Sequence, residues 1–408
     1  MTSAADSAGK PGQGTTVAAP SRQTDAPPFR FYDNRQKYLA FVNTCNEKAT
    51  VARRAARELS QLQPRPPAMR IFDAGMGDAT VLSRLMGSAH RDFPTVPLLA
   101  VAKEISLEDV RLGLEKMPDR FYEHPHTVLV ITNLSYMEAP QLTPKEGQPA
   151  LVWHTLRLKG TSSYAYVEQI EALGPVLTQG WQTRPNAKTG NPTVVQPTAL
   201  VIFREDHEFM LNAVIPTAAT PPIEYDFILA SQPWRARMSA RFKAEKVLAP
   251  LARSLKTGGR LLTLQSYGQD PGLEIVQRLW PDENPFTVGR TDLLQALGAA
   301  LGADANSFTL AVPPDEEALF QYRMHTLPSE IGDRIGTSTL FAAWNAVIYV
   351  NQIEDERLDP VVTTGSYLEA TQDVLHKHGG LWFNDEAFVV TRSGVGSTAP
   401  DGSADRST

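Results

Sequence analysis

Two carboxylates and a pair of glycines carry the clearest chemistry in this chain. In Arg70-Ile71-Phe72-Asp73-Ala74-Gly75-Met76-Gly77-Asp78-Ala79-Thr80, an apolar run ends on an acid and turns through glycine into a helical pattern. Glycine has no Cβ, so such a turn lets a flat nucleoside lie against the main chain. Asp73, at the strand end, can hold an ammonium directly or through water. A second apolar run ends in Val101-Ala102-Lys103-Glu104-Ile105-Ser106. A carboxylate there can accept both hydroxyls of a ribose, although it comes somewhat later than the roughly 20 positions usual after a Gly-rich turn. A third run ends at Asn133-Leu134, where a side-chain amide can meet the edge of an adenine. Gly75-x-Gly77-x-x-Thr80 lacks the third glycine of the dinucleotide fingerprint, which disfavours a nicotinamide cofactor.

Residues of this kind converge only if parallel strands bring their ends to one rim, and the hydrophobic pattern predicts such strands. Short apolar strands at 69–74, 97–102 and 127–132 alternate with helices at 79–90 and 106–117, the second capped by Ser106 with Asp109 in its third position. The alternation resumes with a strand at 225–230, a helix at 240–255 kinked at Pro250, and a strand at 260–265 entered through Gly258-Gly259. Late strands are expected at 318–325 and 381–392. A continuous helix is expected over 35–62, before Gln63-Pro64-Arg65-Pro66-Pro67. Residues 134–223 are too many for a loop, and are read as an inserted substrate lid with strands at 150–158 and 198–204. The expected organisation is a disordered tail at 1–28, a helical cap at 29–68, and a core at 69–133 and 224–327. The lid at 134–223, a helical insertion with the last core strand at 328–392, and a second disordered tail at 393–408 complete it.

The chain has 408 residues, 42% hydrophobic and 21% charged, enough for a large α/β core with insertions. A net charge of −6 argues against a general nucleic-acid binder. One cysteine, Cys45, excludes an internal disulfide and a multi-cysteine zinc site. No histidine spacing suggests a metal: His376 and His378 point apart on a helix, and His124 and His126 flank Pro125. Without a long apolar run or a secretory leader pattern, the expected location is the cytoplasm.

The stretch from Asp73 to Gln265 resembles the class I S-adenosylmethionine (SAM)-dependent methyltransferases. Asp73-x-Gly75-x-Gly77 matches that family's first motif, with Ala79 where a third glycine often stands. Glu104 matches its ribose-binding acid, and Asn133 falls where an Asp or Asn contacts adenine. Tyr225-Asp226-Phe227-Ile228 and Leu255-x-x-Gly258-Gly259-Arg260-Leu261-Leu262 match its fourth and fifth strands. The resemblance implies an α/β Rossmann-like sheet of seven strands, mostly parallel, in the order 3-2-1-4-5-7-6. It further implies SAM as cofactor, held by Asp73, Gly75, Gly77, Asp78, Glu104, Ile105, Asn133 and Leu134.

Ser231-Gln232-Pro233-Trp234 after the fourth strand is similar to the Asn/Asp/Ser-Pro-Pro-aromatic motif of amine methyltransferases, departing from it at Gln232. That likeness implies Ser231 as hydrogen-bond acceptor for a small-molecule amine and Trp234 as a stacking ring. A packed turn is the alternative. Tyr32, Tyr38 and Phe41 on the N-terminal helix are read as a cover for the cofactor or as ordinary packing. Two other functions stay open: a SAM-binding or interaction protein without transfer, and an NAD(P)-linked oxidoreductase.

Overall fold

The computed structural model describes residues 35–186, 192–220 and 222–393. The expected tails, Tyr32 and part of the 184–192 loop lie outside the described residues.

Chain order begins with helices α1 (Arg35–Thr44) and α2 (Glu47–Leu59), followed by β1 (Met69–Asp73), α3 (Thr80–Asp92), β2 (Leu98–Lys103), α4 (Leu107–Leu114), α5 (Pro118–Glu123) and β3 (Thr127–Thr132). The 134–223 segment adds β4 (Val152–Leu158), α6 (Ser163–Glu171), α7 (Gly174–Gly180), a small hairpin of β5 (Thr183–Pro185) and β6 (Pro192–Val194), and β7 (Thr198–Arg204). Strands β8 (Tyr225–Ser231), β9 (Leu255–Ser266), β10 (Phe308–Thr309), β11 (Leu319–Arg323) and β12 (Trp382–Arg392) complete the framework.

The main sheet runs β10-β12-β9-β8-β1-β2-β3-β7-β4, with β11 also on β12. Strands β3, β2, β1, β8 and β9 are mutually parallel, and β12 is antiparallel to β9 and β11. Read as β3-β2-β1-β8-β9-β12-β11, this is the 3-2-1-4-5-7-6 order of a Rossmann-like sheet. The sheet has ten strands rather than seven, and most of the surplus comes from the 134–223 segment. β7 pairs antiparallel with β3 and β4 lies parallel to β7, so the segment extends the sheet edge. Every residue of β7 is buried, and its apolar run could not stand at an open edge without β4 beside it.

Apolar side chains leave both faces of the sheet. One face packs α2, α3, α6 and α7 over Ile71, Ala100 and Leu129. The other packs the helices at 240–253 and 290–301 over Phe72, Val101 and Val130. A third core joins Phe41 to the helices at 337–350 and 366–378.

Two local expectations are corrected. The 35–62 helix breaks at Cys45-Asn46, because these residues dock on the end of β11. Cys45 bridges Met324, Asn46 N–H donates to the Arg323 carbonyl at 2.9 Å, and Asn46 Oδ1 accepts from Arg323 N–H at 2.8 Å. The helix before β9 is not simply kinked at Pro250. It widens into a π-helical turn at Ala244–Leu248, which accommodates a proline that has no N–H to donate. Among the described residues no helix is long and apolar enough to cross a membrane.

Candidate functional site

The carboxyl ends of β1, β2 and β8 lie side by side where the strand order reverses, the place of the ligand crevice in open α/β sheets. Adjacent strands put Asp73 opposite Ala102, one residue before Lys103-Glu104, so both acids reach the same rim. Asp73 is 1% exposed, and Oδ1 accepts from Gly75 N–H at 3.1 Å. Burial pushes its carboxyl up to about 6, opposed by that N–H and the Lys48 ammonium and reinforced by the charge of Glu104. The two acids therefore sense one another across the crevice.

Glu104 organises the turns around it. Oε2 accepts from Gly77 N–H at 2.9 Å, and Oε1 from Ile105 N–H at 2.7 Å and Ser106 N–H at 2.8 Å. Ile105 thus contributes backbone, and Ser106 caps α4 as expected, accepting from Asp109 N–H. A Cβ on Gly75 would find its nearest neighbour, the Ser231 carbonyl oxygen, 3.9 Å away, so the main chain there is open to close approach. Gly77 has φ +53°, and a Cβ on it would lie 2.8 Å from Tyr38 Oη. Asp78 Oδ1 accepts from the Tyr38 hydroxyl at 3.4 Å. It accepts from Thr80 N–H and Oγ at the start of α3, and pairs with Lys116 at 3.4 Å.

Cationic and aromatic side chains from α1, α2, β2 and the 134–223 segment surround these acids. Tyr38 on α1 places its hydroxyl 3.4 Å from Asp78 N. Lys48 on α2 reaches towards Asp73 and Asp78. Burial disfavours its charge, yet Glu47, then Tyr38, Tyr349 and Asp78, hold its ammonium above the usual range. Tyr136, from the 134–223 segment, senses both Glu104 and Asp73, and the Lys103 ammonium stands 4.6 Å from its ring centre. Trp181 of the same segment donates its indole N–H to the Glu104 carbonyl at 2.7 Å.

Three expected site residues, Asn133, Leu134 and Trp234, are engaged elsewhere in this structure. Asn133 does not offer its amide to the crevice. Nδ2 donates to the carbonyls of Gly180 and Gln196 at 2.8 and 2.9 Å, and Oδ1 accepts from Thr198 N–H at 2.9 Å. Both donors are engaged, so Asn133 fastens the added strands to the sheet; Leu134 packs into the core beside it. Trp234 is 6% exposed, donates Nε1–H to Gln265 Oε1 at 2.9 Å, and has the Lys243 ammonium 5.4 Å from its ring. A ring so enclosed is a packed turn, not a stacking platform. Gln232, at φ +49°, supplies the sharp bend that buries it. Ser231 does lie on the rim, beside Gly75.

Tyr136 and Trp181, which the sequence offers as substrate-recognition candidates of the 134–223 segment, do lie at this site. Lys48 and Lys103 are not singled out by the sequence: Lys48 stands on a helix 25 residues before the motif, and Lys103 gives no signal beyond its place beside Glu104.

No family model and no curated protein matches the chain. Among solved structures it is similar to a geranyl diphosphate methyltransferase in complex with GPP and sinefungin, at 12% identity over 82% of this chain and 76% of that one, TM-score 0.30. It is also similar to the [4+2]-cyclase SpnF, at 12% identity over 83% and 80%, TM-score 0.33. A putative sarcosine dimethylglycine methyltransferase from Galdieria sulphuraria aligns at 9% identity over 85% and 86%, TM-score 0.34.

Proposed function

We propose that this chain is a SAM-dependent methyltransferase acting on a small molecule. The observation that carries the reading is the convergence of Asp73 and Glu104 on one strand-end rim, where they accept from the N–H groups of Gly75 and Gly77 beside the open Gly75 backbone. A buried acid facing an ammonium, a second acid beside a ribose, and a glycine turn under the nucleoside form a complementary set for SAM. Lys48, whose ammonium acts on Asp73 and Asp78 and contacts Glu47 at 3.2 Å, would meet the carboxylate of the methionyl group. When bound, SAM supplies an activated methyl group. The chain itself aligns the acceptor and excludes water, through Tyr38 and Tyr136 above the crevice and Ser231 on its rim.

Titration with SAM, S-adenosylhomocysteine and NADH tests this, followed by single-turnover transfer of labelled methyl to a metabolite pool. SAM binding without NADH binding is expected. Gly75→Val and Glu104→Ala should each weaken SAM, and Ser231→Ala should lower turnover with less effect on binding. Binding without transfer to any acceptor would leave a SAM-binding protein; unchanged affinity in both of the first two variants would remove the site.

A further inference from the structure

The two ends of the main sheet differ in what they offer a neighbour. β10, at one end, is two residues long, and so short an edge gives little to pair with. β4, at the other end, has seven residues in unbroken register with β7 from Val152 to Leu158. Proteins keep an edge strand from pairing with another chain by shortness, proline, lysine or a bulge, and β4 has none of these. Val152 N–H donates to the Pro197 carbonyl at 2.9 Å, so the even-numbered residues of β4 serve the ladder with β7. The backbone N–H and C=O groups of Trp153, Thr155 and Arg157 therefore face outward, and no strand lies beyond them among the described residues.

The side chains define what those groups can meet. Trp153 packs on the core that contains Phe203, and the two-residue alternation puts Thr155 and Arg157 on the same side of the sheet. The Arg157 guanidinium lies 5.7 Å from the Phe203 ring and is gripped by Glu208, which accepts from Nε and from Nη2, each at 2.9 Å. Glu208 opens a helical turn whose next residues, Phe209 and Met210, are 85% and 63% exposed. An antiparallel copy of β4 turned about Thr155 sets Trp153 opposite Arg157, Val152 opposite Leu158 and His154 opposite Leu156. Ring meets cation, threonine meets threonine, and no two like charges stand opposite each other. Each opposed pair of outward residues then exchanges both of its backbone hydrogen bonds. Other centres match less well. Turning the copy about Arg157 opposes two guanidiniums, and turning it about Trp153 sets Arg157 opposite Pro149, which has no N–H to give.

We propose that the β4 edge pairs with the β4 edge of a second copy of this chain, antiparallel and centred on Thr155, so that two ten-stranded sheets join into one. Phe209 and Met210 of each copy flank the joint beside Arg157 and Glu208. The pairing braces from outside the segment that carries Tyr136 and Trp181 to the crevice, and it stands independently of which cofactor the crevice takes.

The test uses the full chain. Sedimentation velocity over a concentration series should show a dimer of twice the 44.8 kDa chain mass. Thr155→Pro removes an N–H that the β7 ladder does not use, so the variant should keep its circular dichroism and sediment as a monomer. Thr155→Lys opposes two cations at the centre and should also give the monomer, which covers the case of a proline variant that fails to fold. Oxidative crosslinking reads the register. Opposed residues at the centre stand about 5.5 Å apart between Cα atoms, within reach of a disulfide. Thr155→Cys should therefore form a disulfide-linked dimer, whereas Arg157→Cys, about 14 Å from its counterpart in this register, should not. The chain's own cysteine, Cys45, is buried and adds no background. A monomer at every concentration, a dimer that survives Thr155→Lys, or crosslinking through Arg157→Cys and not Thr155→Cys overturns the proposal.

Discussion

Asp73 offers the most exacting test of the crevice. Burial raises its carboxyl to about 6 in the unliganded protein, against 3.8 for the free group. A cationic methionyl ammonium binds the carboxylate form, so affinity must fall as pH drops through that value. With a pKa near 6, the ionised fraction is about 0.9 at pH 7 and about 0.1 at pH 5, a weakening of about tenfold, or ~1.4 kcal/mol. The ligand's own α-amino group stays largely protonated across this range. Asp73→Asn keeps an acceptor for Gly75 N–H, now made by Asp73 Oδ1 at 3.1 Å, but removes the charge. Loss of one charged hydrogen bond of about 1.5–3 kcal/mol predicts roughly 10- to 150-fold weaker binding. More tellingly, the variant should show no dependence between pH 5 and 7. Isothermal titration with S-adenosylhomocysteine, which keeps the ammonium but not the sulfonium, isolates this contact. A flat profile in the original protein, or the same slope in Asp73→Asn, would refute the reasoning.

Asn133→Ala should lower stability by about 3 kcal/mol in urea denaturation, because Thr198 N–H and two carbonyls lose a buried partner; SAM affinity should change much less. If SAM affinity falls and stability does not, Asn133 contacts the ligand after all. Gly77→Ala strains a residue at φ +53° by about 1–2 kcal/mol and displaces Tyr38, so it should weaken SAM binding more than Tyr38→Phe does; equal effects would deny the steric account. His90 stacks on His124 at 4.3 Å, and burial, then the charges of His124 and Arg120, lowers it to about 3. Its folded value lies below its unfolded one, so its contribution is present above pH 6.5 and is lost as pH falls toward 3, by up to ~1.4 kcal/mol per pH unit. Raised carboxyls such as Asp109 act in the opposite sense, so the measurement is the difference between the original protein and His90→Gln in urea midpoints at pH 7 and 5. No difference at pH 5 relative to pH 7 would sink it.

Much of the framework was legible in the residues alone. Strands β1, β2, β3 and β8 are buried on both faces, and such strands announce themselves as uninterrupted apolar runs between turn residues. The glycine turn and the acids at the strand ends were equally plain, because backbone conformation and strand polarity are local properties. Ser106 as a cap is local too.

Tertiary structure alone decided what those acids face. Asn133 had the right type at the right strand end, yet its amide is taken by Gly180, Gln196 and Thr198, residues at least 47 positions away. Trp234 had the right spacing, but Gln265 and Lys243 enclose it. The break after Thr44 gave no signal, since nothing in that stretch reveals that Cys45 and Asn46 dock on β11. Periodicity reports which face of an element is apolar. It carries no information about which distant polar group meets another, because that depends on strand order and on where long segments return to the sheet.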